Sequence, residues 1–181
     1  MIRRAELSDI PRIAEIHVFG WRSSYKRIVS DEILFNKMQV SKKIPIFEKV
    51  LNENAAENYV FDDGIIKAFM TIGACRDDDK SGAYELWGIY VEPHMKRDGI
   101  GTTMAEHCEK RAIKQGYSEI CLWVLEENHS ARNFYEKLGY STDGTSKYLE
   151  SLALLKLDIL RYYNMDNIGK NAKKDCGSNP Q

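Results

Sequence analysis

What the chain lacks narrows it first. It has no surplus of either charge: 26 Lys and Arg stand against 27 Asp and Glu, a formal net charge of −1, so nucleic acid is not an expected partner. No apolar run approaches the ~20 residues that a bilayer span needs, so no membrane role is expected. The opening MIRRAELSDIP has arginines but no apolar stretch behind them, so it does not read as a secretion signal. A cytoplasmic location is the resulting expectation. The four cysteines, Cys75, Cys108, Cys121 and Cys176, form no C-x-x-C pair and no His/Cys cluster of zinc spacing, so no metal site is expected. Cys75 and Cys121 fall in strand-like runs and Cys108 in a helix-like run, where they read as reduced core filler. There is no internal repeat. With 181 residues, 43% apolar and 29% charged, the chain has the size and composition of one ordinary globular domain.

What is present is an alternation of strand-like and helix-like runs. Residues 2–4 read as a first strand. Ser8 is placed to cap a helix running to about Trp21, with Pro11 tolerated in its first turn. Ile10, Ile13, Ala14, His17 and Trp21 recur there at helical spacing. SSYKRIVS reads as a loop, and 31–38 and 41–53 as further helical pieces. NYVFDDGIIKAFMTIGAC reads as a hairpin turning at Asp63-Gly64, and RDDDKSG (76–82) as a solvated connector. AYELWGIYV (83–91) is a strand that stops at Pro93. Beyond Gly99, the residues Ile100, Met104, Cys108 and Ala112 recur four apart, and Gly116 is placed as a C-cap. EICLWVL (119–125) completes a βαβ unit, whose strands should be parallel with a right-handed crossover. Asn128 to Leu138 reads as a short helix with Ala131, Phe134, Tyr135 and Leu138 on one face, ended by Gly139. A DGT turn (143–145) and a last strand (152–163) follow, and from Asn164 the polar, lysine-rich chain reads as a floppy tail. The expected division is a domain over 1–163 and a tail over 164–181.

KRDGIG, Lys96 to Gly101, lies where the 83–91 strand gives way to a helix. In α/β sheets ligands bind beyond the carboxyl ends of the strands. The first amides of a helix have no partner inside it, and the helix dipole adds partial positive charge, which together favour phosphate. Gly99 and Gly101 let a diphosphate approach the backbone. Lys96 and Arg97 add charge, and Thr102 and Thr103 add hydroxyls. On these residues alone, a diphosphate cradle and a tight turn that holds nothing are equally open. A dinucleotide fingerprint is disfavoured because Met104 stands where the third glycine belongs and the motif comes in mid-chain, and a Walker loop because no Gly-Lys-Ser/Thr follows.

YVEPHMKRDGIGTTMAEH resembles the acetyl-CoA loop of the GNAT superfamily of N-acetyltransferases, Gln/Arg-x-x-Gly-x-Gly/Ala. Lys96 departs from its first position, keeping the charge and losing the planar fork of arginine. LWVLEENHSARNFYEKLGY resembles the family's second cofactor segment, with Asn128, Ala131, Phe134, Tyr135, Lys137, Gly139 and Tyr140 all matching. IRRAELSDIPRIAEIHVFGW resembles the family's opening strand and helix. The resemblance implies an α/β (α+β) fold, the GNAT acyl-CoA N-acyltransferase fold. Its central mixed sheet has about seven strands flanked by helices, with strands four and five splayed. It also implies acetyl-CoA as cosubstrate and a primary amine of a small molecule or peptide as acceptor.

Roles follow from the same resemblance. The loop residues Lys96, Arg97, Asp98, Gly99, Ile100 and Gly101, with Thr102, are expected to hold the pyrophosphate. Ile89, Tyr90 and Val91 should offer backbone groups to the pantetheine arm, with the amide near Tyr90 facing the thioester carbonyl. Asn128 should contact the arm while also capping its helix, and Lys137 is a candidate for the adenosine 3′-phosphate. Tyr135 matches the family's proton donor. A thiol with pKa ~8.5 is a fair leaving group that a phenol of pKa ~10 can protonate. An alkyl amine of pKa ~10.4 must lose a proton before attack, and Glu85 on strand four is the candidate base, with a water chain or a solvent-facing Glu85 as the other readings. The family position for a strand-five carboxylate holds Trp123. Trp21 and Tyr25 either wall the acceptor pocket or pack helices. Direct attack in a ternary complex is preferred to an acetyl-cysteine intermediate, since no cysteine stands beside a histidine. A non-catalytic acyl-CoA sensor is the alternative activity, and the last strands are the candidate face of a homodimer.

Overall fold

A computed structural model of the chain describes residues 1–148 and 158–164. Its strands are β1 (Ile2–Arg4), β2 (Glu57–Asp62), β3 (Ile66–Ala74), β4 (Tyr84–Val91), β5 (Ile120–Leu125), β6 (Ser141–Tyr148) and β7 (Asp158–Asn164). They form a seven-stranded mixed sheet in the order β1-β2-β3-β4-β5-β7-β6. The helices are α1 (Ile10–Tyr25), α2 (Val40–Glu53), α3 (Ile100–Lys114) and α4 (His129–Lys137), with a π-helical segment at Glu32–Lys37. The chain divides into two compact units. One comprises Met1–Gly73 and Trp87–Ala105, the other Ala74–Leu86 and the described residues from Glu106 onward.

In the first unit β1, β2 and β3 pair antiparallel, from Ile2↔Phe61 and Glu57↔Ile72 onward. The hairpin turns where the sequence places it: Gly64 takes φ 104° and donates its N–H to Asp62 Oδ1 at 2.9 Å. Arg3 braces this end, donating to Asp62 at 2.8 Å and to Asp9 at 2.7 and 2.9 Å. Those hydrogen bonds hold the Asp9 carboxyl below its usual range. Ile13 and Ile16 of α1 pack with Val60 and Phe69 into a core that Ala5, Phe47, Ile66 and Tyr90 flank. Burial of such side chains is the main stabilising term.

In the second unit the start of β4 pairs in parallel with β5, Tyr84↔Ile120 through Leu86↔Leu122. β5 pairs antiparallel with β7, and β7 with β6. The four-residue spacing along α3, whose residues up to Ala105 belong to the first unit, is realised as burial: Ile100, Met104, Cys108 and Ala112 are all 6% exposed or less. Gly116, at φ 83°, ends that helix as expected.

Several local expectations are corrected. Ser8 does not cap α1. It sits inside a 3₁₀ turn (Leu7–Asp9), where Glu6 and Asp9 form a reciprocal capping box and Asp9 precedes the helix. The helix runs on to Tyr25, past Trp21. The helical piece expected at 31–38 is a π-helix (Glu32–Lys37), and the carbonyls of Leu34 within it and of Met38 just past its end accept from Arg22 at 3.0 Å each. The 76–82 connector is not merely solvated: it forms a 3₁₀ turn (Asp78–Lys80), and two of its carboxylates, Asp77 and Asp79, are ion-paired. DGT is not a turn between strands but a bulge within β6, marked by a register shift between Thr142 and Ser146 and by Gly144 at φ 82°. Of the last strand expected at 152–163, residues 158–163 are strand, within Asp158–Asn164, while 152–157 and the expected tail after Asn164 lie outside the described residues.

Candidate functional site

The singled-out residues fall into two sets. Trp21, Tyr25, Ile89, Tyr90, Val91 and Lys96 to Thr102 belong to the first unit, and Glu85, Asn128, Tyr135 and Lys137 to the second.

In the first unit, β4 ends at Val91 and the chain passes through a 3₁₀ turn (Pro93–Met95) into the glycine loop. Glu92 fixes this exit. It is 9% exposed, its N–H donates to Lys67 O at 2.8 Å, and its carboxylate accepts from Arg12 at 2.8 Å. Lys96, Arg97, Asp98 and Gly99 are exposed, whereas Ile100 is buried and pins the loop's far end. Gly99 has φ 77° and Arg97 has φ 76°. The left-handed region suits glycine and strains an arginine. Nothing lies within 4 Å of where a Cβ on Gly99 would stand, so the face of the loop is open there. The Gly99 carbonyl accepts from the Thr103 N–H at 3.0 Å and its hydroxyl at 3.1 Å, closing the first turn of α3. The amides ahead of that bond have no intrahelical acceptor. Lys96 Nζ donates to Ser24 Oγ of α1 at 3.1 Å, and partial desolvation of the ammonium beside α1 lowers its pKa from the usual lysine range.

Beside the loop an aromatic cluster joins α1, α2, β3 and β4. Tyr90 stacks on Phe69 at 5.2 Å and lies 4.8 Å from His17. Its hydroxyl accepts from Trp21 Nε1 at 3.1 Å, while burial pushes the phenol's pKa up. Trp21 meets Tyr25 edge-to-face at 4.7 Å. Gly20 and Gly88 make room for the Tyr90 ring: a Cβ on either would stand 3.2 or 3.1 Å from it. The His17 imidazole is pushed down to about 3 by burial and by Lys43, so it is neutral at pH 7. Its Nδ1 is buried with no hydrogen-bond partner among the described residues.

In the second unit, Asn128 caps α4, its Oδ1 accepting from the Ala131 N–H at 3.2 Å. Tyr135 is 9% exposed on α4, between Phe134 at 5.1 Å and Tyr140 at 5.8 Å. Lys137 is exposed in the last turn of the same helix. Glu85 is 1% exposed and neither faces solvent nor pairs with a lysine. Its carboxylate accepts from the Arg76 backbone N–H and Nε, both at 3.0 Å, and from Nη2. Three of its roughly four lone-pair positions are thereby taken.

The sequence did not reveal Arg12, Glu92, Ser24 or Arg76 as residues that fix the site's parts. A charged residue at the edge of an amphipathic helix gives no sign of which carboxylate it meets, and Arg12 and Glu92 are 80 positions apart. The one available signal was Glu92 itself, standing between a strand and Pro93.

The chain is similar to known proteins in sequence and in fold. The acetyltransferase (GNAT) family profile matches residues 11–140. The uncharacterized N-acetyltransferase YuaI of Bacillus subtilis (strain 168) is 28% identical over 132 residues, spanning 71% of this chain and 73% of its own. The ribosomal protein bS18-alanine N-acetyltransferase of Escherichia coli (strain K12) is 28% identical over 107 residues, spanning 57% of this chain and 69% of its own. Among solved structures, the PaiA N-acetyltransferase of Thermoplasma acidophilum in complex with coenzyme A superposes with a TM-score of 0.68 at 21% identity, covering 89% of this chain and 96% of that one. The chain belongs to the acetyltransferase (GNAT) family.

Proposed function

We propose that the protein transfers an acetyl group from acetyl-CoA to a primary amine of a small molecule or peptide, by direct attack in a ternary complex. The observation that carries this is the loop ahead of α3, where exposed Lys96 and Arg97 flank Gly99 at φ 77° with open space beside it. Open amides at the start of a 15-residue helix fit a diphosphate. The solved relative PaiA holds coenzyme A, and the E. coli relative is named for acetylating an alanine of a ribosomal protein.

In this reading Lys96 to Gly101 and Thr102 hold the pyrophosphate, Ile89 to Val91 offer backbone to the pantetheine arm, and Asn128 and Lys137 add contacts to the arm and the 3′-phosphate. Bound acetyl-CoA supplies the acetyl thioester. Tyr135 donates its phenolic proton to the departing sulfur. The amide near Tyr90 donates to the carbonyl oxygen as charge builds there. The three hydrogen bonds from Arg76 to Glu85 support removal of the amine's proton through water, with Glu85 as a fixed charge and not the direct base. The half-buried Trp21 and Tyr25 offer apolar faces to the acceptor.

Tyr135→Phe tests this reading. It should lower kcat by roughly 10²–10⁴-fold while coenzyme A affinity, measured by calorimetry, stays within about threefold of wild type. A variant that keeps kcat within about threefold removes Tyr135 as the acid.

A further inference from the structure

Two thiols of the second unit lie together although they come from different strands. Cys75 directly follows β3, its N–H donating to Ala83 O at 3.0 Å, and Cys121 is in β5, in register with Glu85 of β4. Their sulfurs are 3.0 Å apart and both are free. Cys121 is fully buried, whereas Cys75 is half-buried between exposed Ala74 and exposed Arg76. The pair thus has one accessible sulfur backed by one sheltered sulfur. Burial and the contact with Cys75 push the Cys121 thiol's pKa up, so it is held protonated.

We infer that Cys75 and Cys121 form an oxidation site, in which a peroxide attacked by Cys75 leads to an intramolecular Cys75–Cys121 disulfide. The Cys75 thiol releases its proton, the thiolate attacks a peroxide oxygen, the O–O bond breaks, the departing hydroxide takes up that proton and leaves as one water, and Cys75 becomes a sulfenic acid. The Cys121 sulfur then attacks the sulfenic sulfur, the S–O bond breaks, and the hydroxyl departs as a second water with the thiol's proton. Two thiols are oxidised and one hydrogen peroxide is reduced. Closing from 3.0 Å to a bond of about 2.05 Å asks for about 1 Å of movement shared between the two residues. That movement acts on the neighbouring Arg76, whose N–H and guanidinium hold Glu85. The site therefore couples the redox state of a surface-reachable thiol to the ion pair in which exposed Arg76 holds the buried Glu85 of β4. Cys108 is buried in α3 and stays outside the reaction.

The test uses the full chain carrying Cys176→Ser, so that the remaining terminal thiol cannot compete. The protein is treated with hydrogen peroxide, denatured, alkylated and mapped by mass spectrometry. The expected result is a linked pair of peptides holding Cys75 and Cys121, reversed by dithiothreitol, formed at a rate independent of protein concentration, with Cys108 alkylated. Sulfinic acid or an intermolecular disulfide at Cys75, with Cys121 still alkylated, overturns the inference. So does full alkylation of both thiols at a peroxide dose that oxidises free cysteine. In a Cys121→Ala background, a 1,3-dione probe should trap sulfenic acid on Cys75, and failure to trap it while the folded protein consumes peroxide also overturns the inference.

Discussion

Arg161 of β7 offers the sharpest test of the second unit's physical account. Its side chain is 5% exposed and reaches Asp79 with two hydrogen bonds of 2.7 Å, Asp143 at 2.7 Å and Thr145 Oγ1 at 3.0 Å, with Asp77 at 3.8 Å. Arg161→Met keeps the apolar stem and removes the charge. The three carboxylates respond differently. Asp79 is 63% exposed and returns to water at little cost. Asp77 keeps Lys147 at 2.8 Å and the Trp123 Nε1–H at 2.7 Å. Asp143, whose side chain is 19% exposed, keeps the Thr145 N–H at 2.9 Å and the Thr145 hydroxyl, loses its one guanidinium partner among the described residues, and bears the main loss. Breaking a partly buried pair of this kind costs about 3 kcal/mol, or a fall of about 6–12 °C in Tm for a chain of this size. The loss has a pH signature. Burial pushes the Asp143 carboxyl up, but the Thr145 amide and the Arg161 guanidinium more than reverse this and hold it below its usual range. Hydrogen bonds from Arg161 lower Asp79 too. A depressed carboxylate pKa contributes stability above the unfolded value of ~3.9, which is lost as pH falls through the folded value. Urea unfolding of both proteins from pH 7 to pH 3.5 should therefore show a constant penalty down to about pH 5 that shrinks below about pH 4. A penalty that does not change across that range refutes the ion-pair account.

Two further predictions concern the glycine loop. Gly99→Ala places a side chain at φ 77° with nothing within 4 Å, so its cost is conformational, about 1 kcal/mol by chemical denaturation, and it should raise the KM for acetyl-CoA with little change in kcat. Arg12→Met leaves the Glu92 carboxylate, 12% exposed, without its guanidinium; unfolding should be easier by about 2 kcal/mol, and acetyl-CoA affinity should fall because the exit from β4 loses its anchor.

Local signals in the sequence carried much of the fold. The four-residue spacing from Ile100 to Ala112 became the buried face of α3, the Asp63-Gly64 pair became a hairpin turn, and Asn128 caps its helix. These features depend on residues within a turn or two of one another. What stayed hidden depends on distance along the chain. Arg161 meets Asp143 and Asp79 across 18 and 82 positions, so neither the bulge at DGT nor the fastening of the 76–82 segment could be read locally. The π-helix at Glu32–Lys37 is met by Arg22, which donates to the Leu34 carbonyl within it and to the Met38 carbonyl just past it, 12 and 16 positions away. Glu85 was legible as a carboxylate on strand four, but its capture by Arg76 was not, because that arginine stood in what read as a charged loop. Of the candidate site, the loop and the capped α4 were legible as motifs, and the aromatic setting of Tyr90 between Gly20 and Gly88 was not.

The central claim is tested most directly by mixing the wild-type protein with acetyl-CoA and a panel of primary amines, small molecules and peptide N-termini alike, and following both thiol release and the mass of each amine. The account predicts that at least one amine gains an acetyl group in step with thiol release. Tight coenzyme A binding with no amine acetylated and no thiol released beyond hydrolysis would contradict it and identify a protein that senses acyl-CoA without transferring the acyl group.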